Sequence, residues 1–196
     1  MERILIFIKH HFGGLWRIID WGNGILFRCL YKSKKQDVLR GVLSRVENTS
    51  LTYRELGPSD IQLLKGLIES QPPDDLTYFS PHDFDLEALH AQIKKPAFLM
   101  MGAFDEENIV GYFFLRFFAN QKCFVGRLID RDNRGQGIGS VMNTIMYETA
   151  WNMGFKCLST ISRNNKAVMG AHAKNPTMLI LKELQNDYLL VEFVKK

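Results

Sequence analysis

The chain has 196 residues, 46% hydrophobic and 23% charged, which suits one domain with an appendage and supplies enough apolar material for a proper core. Cys29, Cys123 and Cys157 are odd in number and widely spaced, which excludes a disulfide framework; with no Cys-x-x-Cys or Cys/His cluster, no metal is expected and a cytoplasmic setting is the natural one. Residues 1–45 carry nine Lys/Arg against three Asp/Glu and the remainder sixteen against eighteen, so the net charge of +4 belongs to the front. The mildly acidic body lacks the basic face that a nucleic-acid partner would require.

The front segment holds Ile4, Ile8, Phe12, Leu15, Ile19, Leu26 and Leu30 at spacings of three, four or seven, one apolar stripe on a helix. Gly13-Gly14 and Gly22-Asn23-Gly24 interrupt it. At roughly 1 kcal/mol per interior glycine, they predict two or three short helices rather than one. No apolar run approaches the ~18 residues of a membrane span, and the short run Ile4–Ile8 is not followed by a cleavage site. Two readings of residues 1–45 stay open. One is a helical extension packed on its own domain or on a second copy. The other is a basic amphipathic anchor at an anionic membrane surface, which would place the protein peripherally at the inner face.

Residues 46–196 read as the second unit. Residues 46–56 alternate well enough for a strand that Gly57-Pro58 ends, and Ser59 or Asp60 can cap a helix burying Ile61, Leu64, Leu67 and Ile68. A proline-rich loop from Gln71 to Asp83 follows, then a short helix from about Leu86 to Lys94. Ala97–Phe104 and Ile109–Phe118 form a hairpin signature around Asp105–Asn108, and Cys123–Ile129 is the next strand.

Arg134-Gly135-Gln136-Gly137-Ile138-Gly139 comes next, immediately before a helical pattern running from Ser140 to about Met153. A glycine-rich turn between strand and helix presents bare N–H groups at the positive end of a helix dipole, a seat for phosphate. No lysine lies in the turn, which excludes a P-loop, and its place two-thirds along the chain does not suit a dinucleotide fold. A strand Cys157–Ile161, a helical stretch opened by Asn165, and a hairpin Met178–Leu184 with Tyr188–Val194 complete the order. The expected fold class is α/β, a mixed and mostly antiparallel sheet flanked by helices.

Arg134, Gly137 and Gly139 resemble the Gln/Arg-x-x-Gly-x-Gly/Ala pyrophosphate motif of the GCN5-related N-acetyltransferases, and the downstream order of elements over roughly residues 50–196 is similar to that family. The resemblance implies acetyl-CoA as co-substrate. It implies a diphosphate held at Arg134, Gly135, Gln136, Gly137, Ile138, Gly139 and Ser140, with the backbone of Leu128 and Ile129 and the side chain of Asn165 on the pantetheine arm. His172 stands where the family often has a leaving-group tyrosine, and is the candidate acid. Asp130 is the first candidate for the base that an amine acceptor needs, with His82 and Asp83 as rivals. Tyr78, Phe79, His82 and Asp83 are the candidate acceptor contacts, since rings and carboxylate or imidazole groups suit a sugar bearing hydroxyls.

The expected activity is therefore direct acetyl transfer to a primary amine, with a nucleotide- or lipid-linked amino sugar slightly preferred over a protein N-terminus, a polyamine or an amino acid. The competing class is a non-catalytic module that binds acyl-CoA or scaffolds at a membrane.

Overall fold

The computed structural model describes residues 13–46, 50–172 and 177–195, with side chains described from Ile18 onward. Helix α1 (Gly13–Leu43) leads into strand β1 (Thr52–Glu55). A 3-10 turn (Pro58–Asp60), α2 (Ile61–Glu69), α3 (Pro73–Leu76) and α4 (Leu86–Gln92) follow. Then come β2 (Phe98–Asp105), β3 (Asn108–Phe118) and β4 (Lys122–Ile129). The second half holds α5 (Ile138–Met153), β5 (Lys156–Ser162), α6 (Lys166–His172), β6 (Met178–Glu183) and β7 (Tyr188–Phe193). The strands form one seven-stranded sheet in the order β1-β2-β3-β4-β5-β7-β6, antiparallel except for β4 beside β5.

Because side chains alternate across a strand, β2 and β3 feed two cores. Leu99, Met101, Phe113, Leu115 and Phe117 face α1 and α5, whereas Phe98, Met100, Tyr112 and Phe114 face α2 and α4. Both sheet faces are covered, which explains why β2 is apolar at nearly every position.

The front segment departs from expectation in two ways. From Gly13 onward it is one helix that runs unbroken through Gly22 and Gly24, where an interruption was expected. Tertiary contacts offset the glycines: Gly24 lies against Pro96, and Asn23 donates to Phe117 O at 2.9 Å while accepting from Ala119 N–H at 2.8 Å. The face that packs is also not the one the spacing picked out. Phe27, Leu39 and Val42 are buried in the α5-side core, while Leu26 and Leu30 stay exposed. Ile4, Ile8 and Phe12 lie outside the described residues, as do the side chains of Leu15 and of others before Ile18.

Asp60 fixes the entry to α2. Its carboxylate takes two hydrogen bonds from Arg54, at 2.7 and 2.8 Å, and one from Gly57 N–H at 2.7 Å. The Arg54 bonds hold its pKa below the usual carboxylate range, against a burial that acts the other way.

Candidate active site

Strands β4 and β5 run parallel for only three pairs, Lys122↔Lys156, Cys123↔Cys157 and Phe124↔Leu158, and then part. Each stays bound to its other neighbour, β4 to β3 as far as Gly111↔Ile129 and β5 to β7 as far as Ser162↔Tyr188. The sheet therefore forks. Ser159 Oγ bridges the crotch by donating to Val125 O at 2.9 Å. Beyond it opens a cleft of about 1020 Å³ that reaches from α3 across the fork to α6.

The parity of β4 decides which backbone groups look into that gap. Asp130 N–H donates to Val110 O at 2.9 Å, so even-numbered residues of β4 face β3, and Ser159 meets an odd one. Leu128 thus spends its backbone polar groups on β3. Arg127 and Ile129 present theirs to the fork.

The turn after β4 begins with a 3-10 segment (Arg131–Asn133) that Asp130 holds together. Gly135 and Gly137 then take φ of +79° and +82°, the left-handed region that a side chain resists, and Gly137 caps α5. Ser140 and Val141 N–H already bond Gly137 O, so the amides ahead of them are the ones left to point outward at the helix start. A Cβ on Gly137 would meet nothing within 4 Å, whereas one on Gly139 would press on Ile129 and on the Arg127 guanidinium at 3.1–3.3 Å. Arg127 Nε donates to Asn143 Oδ1 at 2.9 Å, which fixes a cation beside the N-terminus of α5. Paired amides, positive dipole and guanidinium converge on one spot, and these donors fit a diphosphate.

Arg134 turns its side chain away from that spot. Its guanidinium donates to Ile129 O twice at 3.2 Å, to Asp75 Oδ2 at 3.0 Å and to Gln71 Oε1 at 3.3 Å. Gln71 in turn donates to Asp130 Oδ1 at 3.0 Å. The motif arginine therefore straps the α3 loop to the end of β4.

Among the sequence candidates, Leu128, Ile129, Arg134, Gly135, Gly139, Ser140, Asn165, His172, Tyr78 and Phe79 line the cleft. The side chain of Ile138 is buried in the core, and Gln136 and Gly137 sit exposed at the crest of the turn. Asn165 Oδ1 accepts from Val168 N–H at 3.1 Å, an N-cap for α6. Asp130, His82 and Asp83 are not cleft-lining.

Asp130 has its oxygens engaged by Gln71 and by Asn133, the latter at 2.8 Å. Burial pushes its pKa up, but these bonds and the N–H groups of Arg131 and Asp132 together bring it below the ordinary value. His82 Nδ1 lies 2.8 Å from Asp83 O, which can only accept, so Nδ1 carries the hydrogen and Nε2 accepts a hydrogen bond from the Tyr112 hydroxyl at 2.8 Å. Burial lowers its pKa. His82 clamps the loop onto Phe84 and Phe98 instead of reaching the fork. His172 is 6% exposed and lies against Phe193; burial first, and the Arg127 charge second, depress its pKa to about 4. It is a neutral imidazole at physiological pH.

Arg127, Asn143, Ser159 and Asp75 were not picked out from the sequence. The signal for Arg127 was present, a charge in the middle of an apolar strand. Asp74 and Asp75 join Tyr78 and Phe79 on the α3 lip of the cleft, with the Phe79 ring close over Gly126. Among the described residues no group of three or more His, Cys, Asp or Glu could hold a metal ion.

The model of the acetyltransferase (GNAT) family matches residues 64–175. The chain belongs to the acetyltransferase (GNAT) family. It is an enzyme of the acetyl-CoA-dependent class, and acetyl-CoA is the co-substrate. No curated protein matches the sequence. Among solved structures, the GNAT domain of S. lividans PAT superposes with a TM-score of 0.63 at 13% identity, covering 72% of this chain and 88% of that one. The PaiA N-acetyltransferase of Thermoplasma acidophilum, in complex with coenzyme A, gives 0.61 at 16% identity over 74% of this GNAT chain and 98% of its own. An acetyltransferase from Salmonella typhimurium that modifies the N-terminal serine of ribosomal protein L7/L12 gives 0.57 at 17%, over 74% and 93%. At these identities the likeness carries the fold, and the acceptor must be argued from this chain's own cleft.

Proposed function

We propose that this protein transfers acetyl from acetyl-CoA directly to the primary amine of a small polar acceptor, an amino sugar being the class that best matches the α3 lip. The observation that carries this reading is the fork between β4 and β5, open on one side to the glycine turn and on the other to Asp74, Asp75, Tyr78 and Phe79. Acetyl-CoA supplies an activated thioester and a thiol able to leave.

The residues divide the work. The amides from Gly135 to Gly139 and the Ser140 hydroxyl hold the diphosphate, with Arg127 adding charge. Several such bonds must act together, because the helix dipole alone contributes on the order of 0.3–1 kcal/mol. The N–H groups of Arg127 and Ile129, not that of Leu128, serve the pantetheine arm and the thioester oxygen. Asn165 has its side-chain oxygen occupied by the cap, which leaves its Nδ2 for the arm.

An alkylammonium of pKa ~10.4 is ready to attack in about one molecule per thousand at pH 7.4, a cost of about 4 kcal/mol. Asp130 and His82 are tied into the fold, and Asp75 is paired with Arg134. Asp74, exposed on the lip, is the carboxylate we assign to take the ammonium proton and release it to solvent; once the C–N bond forms and the C–S bond breaks, the second amine proton ends on the coenzyme thiolate. His172, neutral and packed, shapes the wall; the thiol leaves without it. No covalent enzyme intermediate is required: Cys123 and Cys157 are buried in strands, and burial pushes both thiols far up.

Thiol release from acetyl-CoA against amino sugars, polyamines, amino acids and peptides tests this. Turnover highest on amino sugars and reduced in Asp74→Asn supports the reading. Turnover confined to peptides or polyamines overturns the acceptor class, and coenzyme binding without turnover on any amine overturns the transfer.

A further inference from the structure

The outer face of α1 carries a line of exposed apolar side chains. Ile18, Trp21, Ile25 and Cys29 follow one another at helical spacing, and Leu26 and Leu30 flank them. Trp21 is 69% exposed, Ile18 63% and Leu30 61%, although the opposite face of the same helix is locked into the core by Phe27 and Tyr31. The ridge is thus held rigidly outward.

Its charge is one-sided. Between Ile18 and Lys35 the only acidic residue is Asp20, which turns to the body and pairs with Lys95 at 2.9 Å and Arg116 at 3.1 Å. Arg28 and Lys32 are exposed along one edge of the ridge. On that edge lies a separate cavity of about 260 Å³, lined by Arg28, Lys32, Lys35, Lys94 and Lys95, with Glu55 the one carboxylate and already bonded to Lys35 at 2.9 Å. Apolar ridge and basic hollow sit side by side on one surface.

We propose that this surface docks the protein on an anionic lipid bilayer, the Ile18–Trp21–Ile25 ridge entering the acyl boundary and the basic hollow receiving a headgroup phosphate. Apolar area together with basic charge is the combination that binds anionic interfaces. No helix among the described residues is long and apolar enough to cross a membrane, so α1 lies on the surface. The proposal stands apart from the acetyl-transfer reading, and its readout is independent of turnover.

The test is sedimentation of the full chain with phosphatidylcholine vesicles, with and without phosphatidylglycerol, alongside melting curves for each variant and light scattering for mass. Binding is expected with the anionic vesicles only, weakening as salt rises. Trp21→Asp with Ile25→Asp, both at exposed positions, abolishes it with melting unchanged. Arg28→Gln with Lys32→Gln weakens it roughly thirtyfold at low salt, from the contribution of each basic residue near such a surface. Inorganic phosphate competes poorly, since the ridge remains engaged. Equal binding to both vesicle types, no binding to either, or a self-associated species that Trp21→Asp dissolves without any vesicle binding each overturns the proposal.

Discussion

His172 provides a quantitative handle because its neutral state is imposed by the fold. In the unfolded chain a histidine titrates near 6.5, whereas burial and Arg127 bring His172 to about 4. Between these values the unfolded state binds the extra proton. The stability attached to His172 is therefore complete above about pH 6.5 and lost as pH falls toward 4. A difference of about 2.5 units corresponds to at most roughly 3 kcal/mol. Because the loss continues down to about pH 4, only about 1–2 kcal/mol of it should fall between pH 7 and 5. Urea unfolding of the parent and His172→Gln at both pH values isolates the contribution, because His82 and the carboxylates are common to both. The parent should lose about 1–2 kcal/mol more than the variant. Equal losses, or an imidazole that titrates near 6.5 by NMR in the folded protein, would refute the neutral-wall account and restore His172 as a candidate acid.

Four further outcomes follow from the geometry. Phe27→Ala, which empties a buried site shared with Phe117 and Phe155, should cost about 3–5 kcal/mol in chemical denaturation, as befits a helix that belongs to the core. Asp60→Ala, leaving Arg54 and Gly57 N–H without their acceptor, should cost about 1–3 kcal/mol by thermal melting. Asp75→Asn loosens the Arg134 strap on the α3 loop, so the acceptor KM should rise by roughly threefold to tenfold, the worth of about 1 kcal/mol, with coenzyme affinity changed far less. The pH profile of kcat should show no limb from His172 above about pH 5, and His172→Gln should keep near-normal kcat.

Much of this architecture was legible before any coordinates. Apolar periodicity and turn residues placed α2, the β2–β3 hairpin, β4, α5, β5 and the terminal hairpin to within a few residues, because in each the local signal agrees with the tertiary demand. The glycine turn was legible for a covalent reason: Gly135 and Gly137 occupy backbone conformations that side chains resist. The break expected at Gly22–Gly24, from glycines weighed by propensity alone, is absent. Pro96, Phe117 and Ala119, about seventy to a hundred residues away in sequence, supply the contacts that carry the helix through. Leu26 and Leu30 had the right spacing for a buried stripe, yet Phe27 and Leu39 are the residues buried in the core. Side-chain direction was the weakest inference in the cleft. Arg134 reads as a phosphate ligand by position, but its guanidinium folds back onto Ile129 O and Asp75. Asp130 is the first candidate base by its place at the strand end, but Gln71, 59 positions earlier, holds it. The facing parity of Leu128 against Arg127 also depends on a register that only pairing with β3 defines.

Calorimetric titration of coenzyme A into the parent, Gly137→Ala and Gly139→Ala examines the diphosphate seat itself. Gly137 has open space around it, so an added methyl would point to where ligand belongs, and its left-handed φ adds strain of about 1–2 kcal/mol. Gly139→Ala crowds Ile129 and Arg127. The parent should bind with clear heat, and both variants should lose at least about tenfold in affinity, or 1.4 kcal/mol, while remaining folded. Identical titrations for all three proteins, or no heat from the parent at saturating coenzyme, would contradict a diphosphate site at the head of α5.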